Sequence, residues 1–361
     1  MQMYNSQPNQ QILLKFNQSF QEHREDISAV LLSPEQHLWL GSDETSTIER
    51  LSLIEPYNFA KHQQYQVADF ISLPAPASEE IDIEGLAYDD YYLWFVGSHS
   101  YKRKKPKSEK TDAKNVQRLA EIAAEPNRYI LGRIPLVDGE LLKSCPHPKD
   151  ATRQLSSAKL EITPMGNLLM EALADDPHLG AFIQAMIPGK DNGFDIEGIE
   201  VQGDRIFLGL RGPVLRGWAV ILEIKLAESN SGLLKLSPIG EDEKQYKKHF
   251  IFLNGLGIRD LCHEGNDLLI LAGPTMDLDG PVQVYRLKES CNLLADIFHK
   301  PELVMEIPYG KSDDHAEGIT LFTDIFEKSS LLVVYDSPSK TKRVIGEDSI
   351  LADVFSLETG K

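Results

Sequence analysis

The chain has 361 residues, with 37 Lys and Arg against 55 Asp and Glu, so its formal net charge is −18. Such an excess of negative charge argues against binding to nucleic acid or to anionic lipid, because both attract positive charge. No apolar run reaches the roughly 18 residues of a membrane-spanning helix. The polar first eleven residues lack the pattern of a secretory signal, and the three cysteines have neither zinc-like spacing nor a disulfide pattern. These features predict a cytoplasmic protein.

A short pattern that recurs five times along the chain is the strongest indication of its fold. In its clearest form, an acidic residue, an apolar residue, a glutamate and a glycine open an apolar segment, as at residues 82–86 and 195–199. The other copies begin at Asp26, Gly257 and His315. Turn-forming residues and a second, almost entirely apolar segment follow each copy. This arrangement predicts two neighbouring β-strands per copy, the second covered on both faces.

The repeat predicts an all-β fold, a β-propeller that takes up the whole chain (residues 1–361) as a single domain. Third strands follow several copies, and three or four antiparallel strands per repeat are typical of a propeller blade. The spacing of the copies predicts five blades, with six as the alternative if the longest gap contains a degenerate blade. We expect the apolar segment at residues 12–16 to complete the last blade and close the ring. A β-sandwich is the rival fold, although sandwiches rarely repeat themselves in this way.

Two segments interrupt the repeat and are interpreted as insertions with short helices. The first, residues 101–128, contains a basic run at 102–110 and a predicted helix over 113–124. A solvated, mobile loop is the simplest interpretation of the basic run, and binding of a phosphate or an acidic partner is the alternative. The second insertion, residues 165–188, contains two short segments of helical character.

The expected strand order gathers charged residues at one mouth of a central channel. The first two strands of a blade are antiparallel, so the start of the first lies beside the end of the second. The first strands line the channel. The candidate metal ligands at this mouth are Glu84, Glu197, Asp260 and Glu317. The candidate ligand-binding residues are Ser98, Arg211, Arg259 and Asp336. The candidate catalytic residues are His99 and His315.

Three glutamates that converge on one axis repel one another, so this site needs a compensating charge. A divalent cation such as Ca²⁺ would accept their oxygen atoms as ligands. Alternatively, Arg211 and Arg259 would pair with them, because the planar guanidinium group suits carboxylates. A water-filled channel is the third interpretation. The sequence contains both the acids and the arginines, and it does not choose among these arrangements.

Several motifs resemble those of a known bacterial family. They are GSHS at 97–100, DIEGI at 195–199, GLRGPVLRGWA at 209–219, GLGIRDL at 255–261 and AGP at 272–274. On these segments the chain is similar, over nearly its whole length, to the family called domain of unknown function 3616. The resemblance implies a β-propeller and brings no established activity. The Glu-Gly strand starts are also similar to those of esterase-like phytase propellers, in the blade motif alone.

Two functions are consistent with these features. The first is binding of a small anionic ligand, a divalent cation, or both, at the channel mouth. An enzyme of this kind would be a metal-dependent hydrolase of esters or phosphoesters, in which His99 or His315 moves a proton. The alternative is a non-catalytic scaffold for protein interactions that uses residues 102–124. No nucleic-acid or membrane partner is expected.

Overall fold

The computed structural model describes residues 7–230, 232–239, 243–276, 278–323 and 329–357, and most of them lie in β-strands. The strand pairs form five antiparallel units of four strands that follow one another along the chain. The chain is therefore all-β, as its alternating apolar and turn-forming segments predict. It begins with β1 (Gln10–Lys15), and the first unit then contains β2 (Ile27–Leu32), β3 (His37–Ser42), β4 (Thr47–Glu55) and β5 (Asn58–Gln66).

The second unit is interrupted twice. It begins with β6 (Ile83–Asp89) and β7 (Tyr92–Gly97), followed by an excursion with β8 (Lys102–Arg103), α1 (Asp112–Ala120) and β9 (Ile122–Ala123). The third strand, β10 (Leu131–Val137), is followed by β11 (Glu140–Leu141), β12 (Ser144–His147) and β13 (Asp150–Ser156). The unit ends with β14 (Ala158–Leu160). A second excursion contains β15 (Ile162–Thr163), β16 (Gly166–Asn167), α2 (Leu168–Leu173) and α3 (Gly180–Gln184).

The last three units are more regular. The third contains β17 (Asp195–Gln202), β18 (Arg205–Gly212), β19 (Trp218–Asn230) and β21 (Tyr246–Phe252), with β20 (Leu233–Ser237) beside β19. The fourth contains β22 (Gly257–Glu264), β23 (Asp267–Gly273), β24 (Val282–Leu287) and β26 (Glu302–Ile307), with β25 (Phe298–His299) paired to β21. The fifth contains β27 (His315–Thr323), β28 (Ser329–Asp336) and β30 (Ser349–Ser356), with β29 (Val344–Ile345) beside β30. Described 3-10 helices cover Gln18–Phe20, Val67–Asp69, Pro126–Tyr129 and Ser290–Asn292.

The first strands of the five units form a closed ring. Each of β2, β6, β17, β22 and β27 contacts the first strands of the units before and after it. The glycine after each repeat glutamate allows this close approach. A Cβ atom on Gly85 would lie 2.9 Å from the backbone nitrogen of Ile199, and one on Gly198 would lie 3.0 Å from Cα of Asp260. Any larger residue would therefore push neighbouring first strands apart.

The two ends of the chain close the fifth unit, as the sequence predicts. β1 pairs antiparallel with β30, with Leu14 opposite Ile350, and so supplies the fourth strand of that unit. It also pairs in parallel with β5 of the first unit, where Leu14 lies opposite Phe59. Residues from the start and the end of the chain thus share one apolar cluster, which includes Ile12, Leu14, Phe59 and Val354.

Buried glutamate–histidine pairs join the outer strands of two units. In the first unit, Nε2 of His62 lies 2.5 Å from Oε2 of Glu49. In the third unit, Nε2 of His249 lies 2.8 Å from Oε2 of Glu223. Burial opposes ionisation of Glu223, but hydrogen bonds from His249 and Arg205 outweigh it and lower the pKa of this carboxyl to about 2. The fold therefore provides partners for acids deep in its outer strands.

The first excursion lies on the surface. Its two short strands, β8 and β9, pair with each other, and Thr111 accepts a hydrogen bond from the Lys114 amide at the start of α1. The helix is shorter than predicted from the sequence, because Glu121 is extended and Ile122 and Ala123 pair with β8. In the part of the chain that the structure describes, no helix has the length and apolar character to span a bilayer.

Replacing Leu14 by alanine tests the joining of the chain ends. Leu14 is fully buried, so we expect L14A to lower the free energy of unfolding by about 2–5 kcal/mol, measured by urea denaturation. Gln10 lies on the same strand but is exposed, and Q10A is the matched control, with an expected change within about 0.5 kcal/mol. Equal stability of the two variants would contradict a packed role for β1.

Candidate functional site

Every first strand contains a β-bulge at the same position of the repeat. In the pairing of first and second strands, one residue is skipped directly after the opening apolar residue. The skipped residues are Ser28, Glu84, Glu197, Arg259 and Glu317. A bulge redirects its side chain, and these residues occupy equivalent positions of a closed ring. In three of the five units the bulge residue is the recurrent glutamate of the sequence pattern, and Ser28 and Arg259 take its place in the first and fourth units.

Two arginines pair with the converging acids on one side of this mouth. The Arg211 guanidinium contacts the carboxylates of both Asp195 and Glu197. Nη1 of Arg259 lies 2.6 Å from Glu197 and 3.1 Å from the Glu317 carboxylate. All of these side chains are buried or nearly so. Glu197 and Glu317 are therefore paired with arginines, which is one of the three arrangements that the sequence left open.

A third arginine, Arg128, pairs with the acid that opens the second unit. Its Nη2 atom lies 2.7 Å from Asp82 and 3.1 Å from Glu80. Ser98, a predicted ligand-binding residue, belongs to this network, since its hydroxyl lies 3.0 Å from that of Ser100 and 3.4 Å from Nη1 of Arg128. The sequence analysis missed Arg128, which lies in a 3-10 helix outside the repeat.

Two acids at the mouth have no such partner. Glu84 is only 7% exposed, and none of the described residues makes a hydrogen bond or ion pair with its carboxyl group. Burial and the neighbouring Asp82 and Glu197 raise the pKa of Glu84 well above its ordinary value. Among the described residues, Oδ1 of Asp43 is likewise buried without a hydrogen-bond partner. Burial and the nearby Asp82 raise the pKa of Asp43 as well.

Two adjacent cavities open at this mouth. The larger, of about 580 Å³, lies between the ring and the first excursion and is lined by Asp43, Glu84 and Arg128. The smaller, of about 100 Å³, is bordered by the fourth and fifth units. Its lining includes Arg259, Asp279, His315, Glu317 and Asp336. Both cavities share three cationic side chains, Lys105, Lys190 and Arg211.

The two lysines at the mouth come from the excursions rather than from the repeat. Lys105 belongs to the basic run, and Lys190 follows α3 shortly before β17. Loss of solvation and the nearby Arg211 oppose the charge of Lys190. The facing Glu317, Asp43 and Glu84 outweigh them, so the pKa of Lys190 is raised above its ordinary value. Sequence analysis missed Lys190, for which the only available signal was its position five residues before the repeat acid Asp195.

The structure separates the two candidate histidines. His315 lies in the smaller cavity, with Nε2 at 3.5 Å from Asp279 and Nδ1 at 4.0 Å from Asp336. His99 is 1% exposed and does not contribute to the described lining of either cavity. Its Nδ1 lies 2.7 Å from the Gly97 carbonyl and its Nε2 lies 2.7 Å from the Asn167 amide. Burial lowers the pKa of His99 to about 4, so it is neutral near pH 7 and its catalytic role stays a prediction without support from its position.

The four candidate metal ligands do not face one point. Asp260 is 2% exposed and turns to the backbone, where it accepts hydrogen bonds of 2.8 Å from the amides of Leu261 and Ile319. It thereby links β22 to β27. Glu197 and Glu317 contact arginines, which leaves Glu84 by itself. Within the described ranges, no group of three or more His, Cys, Asp or Glu side chains has the spacing of a metal site. A metal-binding role for the four residues stays a prediction.

Replacing Arg211 by methionine tests whether arginine pairing stabilises the ring. The change leaves Asp195 without its cation and Glu197 with only Arg259, so we expect a loss of about 3–5 kcal/mol in the free energy of unfolding. The control is K288M, which removes an exposed ion pair with Glu302 and should change stability by less than about 1 kcal/mol. If R211M were as stable as K288M, pairing would not be a structural requirement of the mouth.

Asp336 makes the stability of the folded chain depend on pH. Burial and Glu317 raise its pKa to about 6, so around neutral pH its ionisation opposes folding. Between about pH 4 and about pH 6, the folded chain keeps the Asp336 proton while the unfolded chain releases it. The free energy of unfolding therefore decreases as pH rises through this range. We expect D336N to gain stability relative to the native chain more at about pH 7.5 than at about pH 4, in urea titrations. A gain in stability that is equal at about pH 4 and about pH 7.5 would contradict this assignment.

No curated protein matches this chain. Among solved structures, virginiamycin B lyase from Staphylococcus aureus has 12% identity and a TM-score of 0.33, covering 97% of this chain and 75% of that one. The PQQ-bound aldose sugar dehydrogenase from Streptomyces coelicolor has 14% identity and a TM-score of 0.36, covering 96% and 99%. At these identities and TM-scores, the two structures support no conclusion about what this chain does. Residues 26–353 match the family described as protein of unknown function (DUF3616), and the chain belongs to that family.

Proposed function

We propose that the five units are the blades of a five-bladed propeller, the axial mouth of which binds a small anionic ligand. One observation carries this proposal: the same three cations, Lys105, Lys190 and Arg211, line both cavities at the mouth. A cleft of about 580 Å³ is of the size that holds small molecules in proteins. Concave sites of this kind concentrate oppositely charged ligands.

The two lysines supply the charge that the ligand meets. Arg211 is already engaged with Asp195 and Glu197. By contrast, the ammonium groups of Lys105 and Lys190 have no ion pair within 4 Å among the residues with described positions. Both lysines therefore keep N–H donors for an anion, although Glu317, Asp43 and Glu84 face Lys190 and the chain as a whole carries a net charge of −18. An ammonium group suits phosphate as a point charge.

A second candidate function, metal-assisted hydrolysis of an ester or phosphoester, is supported by the smaller cavity. Burial and Glu317 raise the pKa of Asp336 to about 6, and His315 lies beside it. A carboxyl group that titrates near neutral pH is suited to moving a proton. Turnover of generic esters and phosphoesters with Ca²⁺, Mg²⁺, Mn²⁺ or Zn²⁺, lost in D336N and H315A, would support this candidate. Turnover that persists in both variants would contradict it.

Anion binding is tested by calorimetry with inorganic phosphate and ethyl phosphate. We expect the native chain to bind at least one of them, and K190M or K105M to weaken that binding by about tenfold or more. K288M removes an exposed lysine elsewhere and serves as the control, with unchanged affinity expected. Equal affinity in all three variants, or no binding by the native chain, would contradict the proposal.

A further inference from the structure

We infer that the ligand of the axial mouth is bipolar, with an amino group held by Glu84 and Asp43 and an anionic group held by Lys105 and Lys190. This inference rests on the proposed anion binding and names the class of ligand. The class is a small zwitterion that joins a primary amine to a phosphate. All four side chains line the same cleft of about 580 Å³.

Two acids that line the cleft lack a donor from the protein. Glu84 is 7% exposed, yet no described residue donates a hydrogen bond to it or pairs with it. In the described part of the chain, Asp43 has a buried oxygen without a partner, and native proteins rarely leave such an acceptor unsatisfied. Both acids face the same cleft, so a molecule bound there supplies their donors.

The three arginines at the mouth are already paired with other acids. Arg211 contacts Asp195 and Glu197. Arg259 contacts Glu197 and Glu317, and Arg128 contacts Asp82 and Glu80. Turning one of them toward Glu84 would leave a buried acid elsewhere without its cation, which would strongly destabilise the fold.

An ammonium group fits the two unpaired acids better than a metal ion does. An ammonium group is compact, positively charged and carries three N–H donors, which suits two neighbouring carboxylates. A hard cation such as Ca²⁺ takes six to eight oxygen ligands, and Mg²⁺ requires near-octahedral geometry. Within the described residues, the carboxylates do not form a group of three with the spacing of a metal site. The amine is therefore the better match.

The acids and the lysines of the cleft come from different structural elements. Glu84 comes from the bulge of β6 and Asp43 follows β3, so the acids come from the ring and its rim. Lys105 and Lys190 come from the two excursions. Before the ligand binds, burial and the neighbouring acids raise the pKa of Glu84, which favours its neutral form. An approaching ammonium group favours the carboxylate instead.

The test compares three probes by calorimetry in the presence of EDTA. They are phosphoethanolamine, ethyl phosphate, which lacks the amine, and ethanolamine, which lacks the phosphate. We expect the native chain to bind phosphoethanolamine at least about tenfold more tightly than ethyl phosphate, because its ammonium group adds charge-assisted hydrogen bonds to the two acids. E84Q should abolish this preference, and D43N should reduce it. E302Q removes an exposed carboxylate and should keep it.

The outcomes separate the inference from the proposed function. Equal binding of ethyl phosphate and phosphoethanolamine would overturn the bipolar ligand and leave anion binding intact. No binding of either phosphate would overturn both. A preference for the amine that E84Q and D43N both retain would overturn the assignment to these acids. A preference that appears only when a divalent metal replaces EDTA would overturn it in favour of a metal ion. Thermal unfolding of E84Q and D43N confirms that each variant is folded.

Discussion

Charge compensation among buried groups at the ring axis is the constraint on which the rest of the structure depends. The repeat places its bulge residue at equivalent positions of five units, so three largely buried glutamates converge in the space at the mouth. Like charges in such a space destabilise the fold unless cations offset them. Arg211 and Arg259 offset two of the three, and their contacts extend from the third unit through the fourth to the fifth. The mouth is thus held together by ion pairs as well as by strand packing.

The sequence predicts the features that arise from strand periodicity. Repeated acids, glycines and apolar segments predict paired strands, a shared mouth and the joining of the chain ends, and the pairing of β1 with β30 confirms the last of these. It does not predict the direction of individual side chains. Asp260 occupies the position of a repeat glycine, and its carboxylate accepts hydrogen bonds from the amide of Leu261 on its own strand and from that of Ile319 on β27. His99 follows the second strand as expected, but its backbone has a φ of 57°, and its buried ring contacts Gly97 and Asn167. Lys190 lies outside the repeat, where periodicity gives no information.

The excursions change the electrostatics of the mouth. As a sequence, the basic run between residues 102 and 110 is most simply a solvated loop, because it lacks apolar residues. In the folded chain its Lys105 lies over the cavities, next to Lys190 from the second excursion. A strongly acidic protein thereby places cations above a ring of acids. Opposed charges on two sides of a cleft orient a ligand more strongly than charges of one sign, because each end of the ligand has only one favourable position.

The acids without partners at the mouth do not reflect an inability of this fold to pair buried carboxylates. Glu49 and Glu223 are fully buried in the outer strands, and each has a histidine within hydrogen-bond distance. The same chain thus supplies a donor where an acid serves structure alone. Glu84, which is 7% exposed and lines the cleft, has no described donor, and this lowers stability without an evident structural gain. Groups that break a local rule in this way are expected at functional sites, where activity rather than stability determines the residue. The contrast between Glu223 and Glu84 therefore favours the axis as the place of the proposed ligand site.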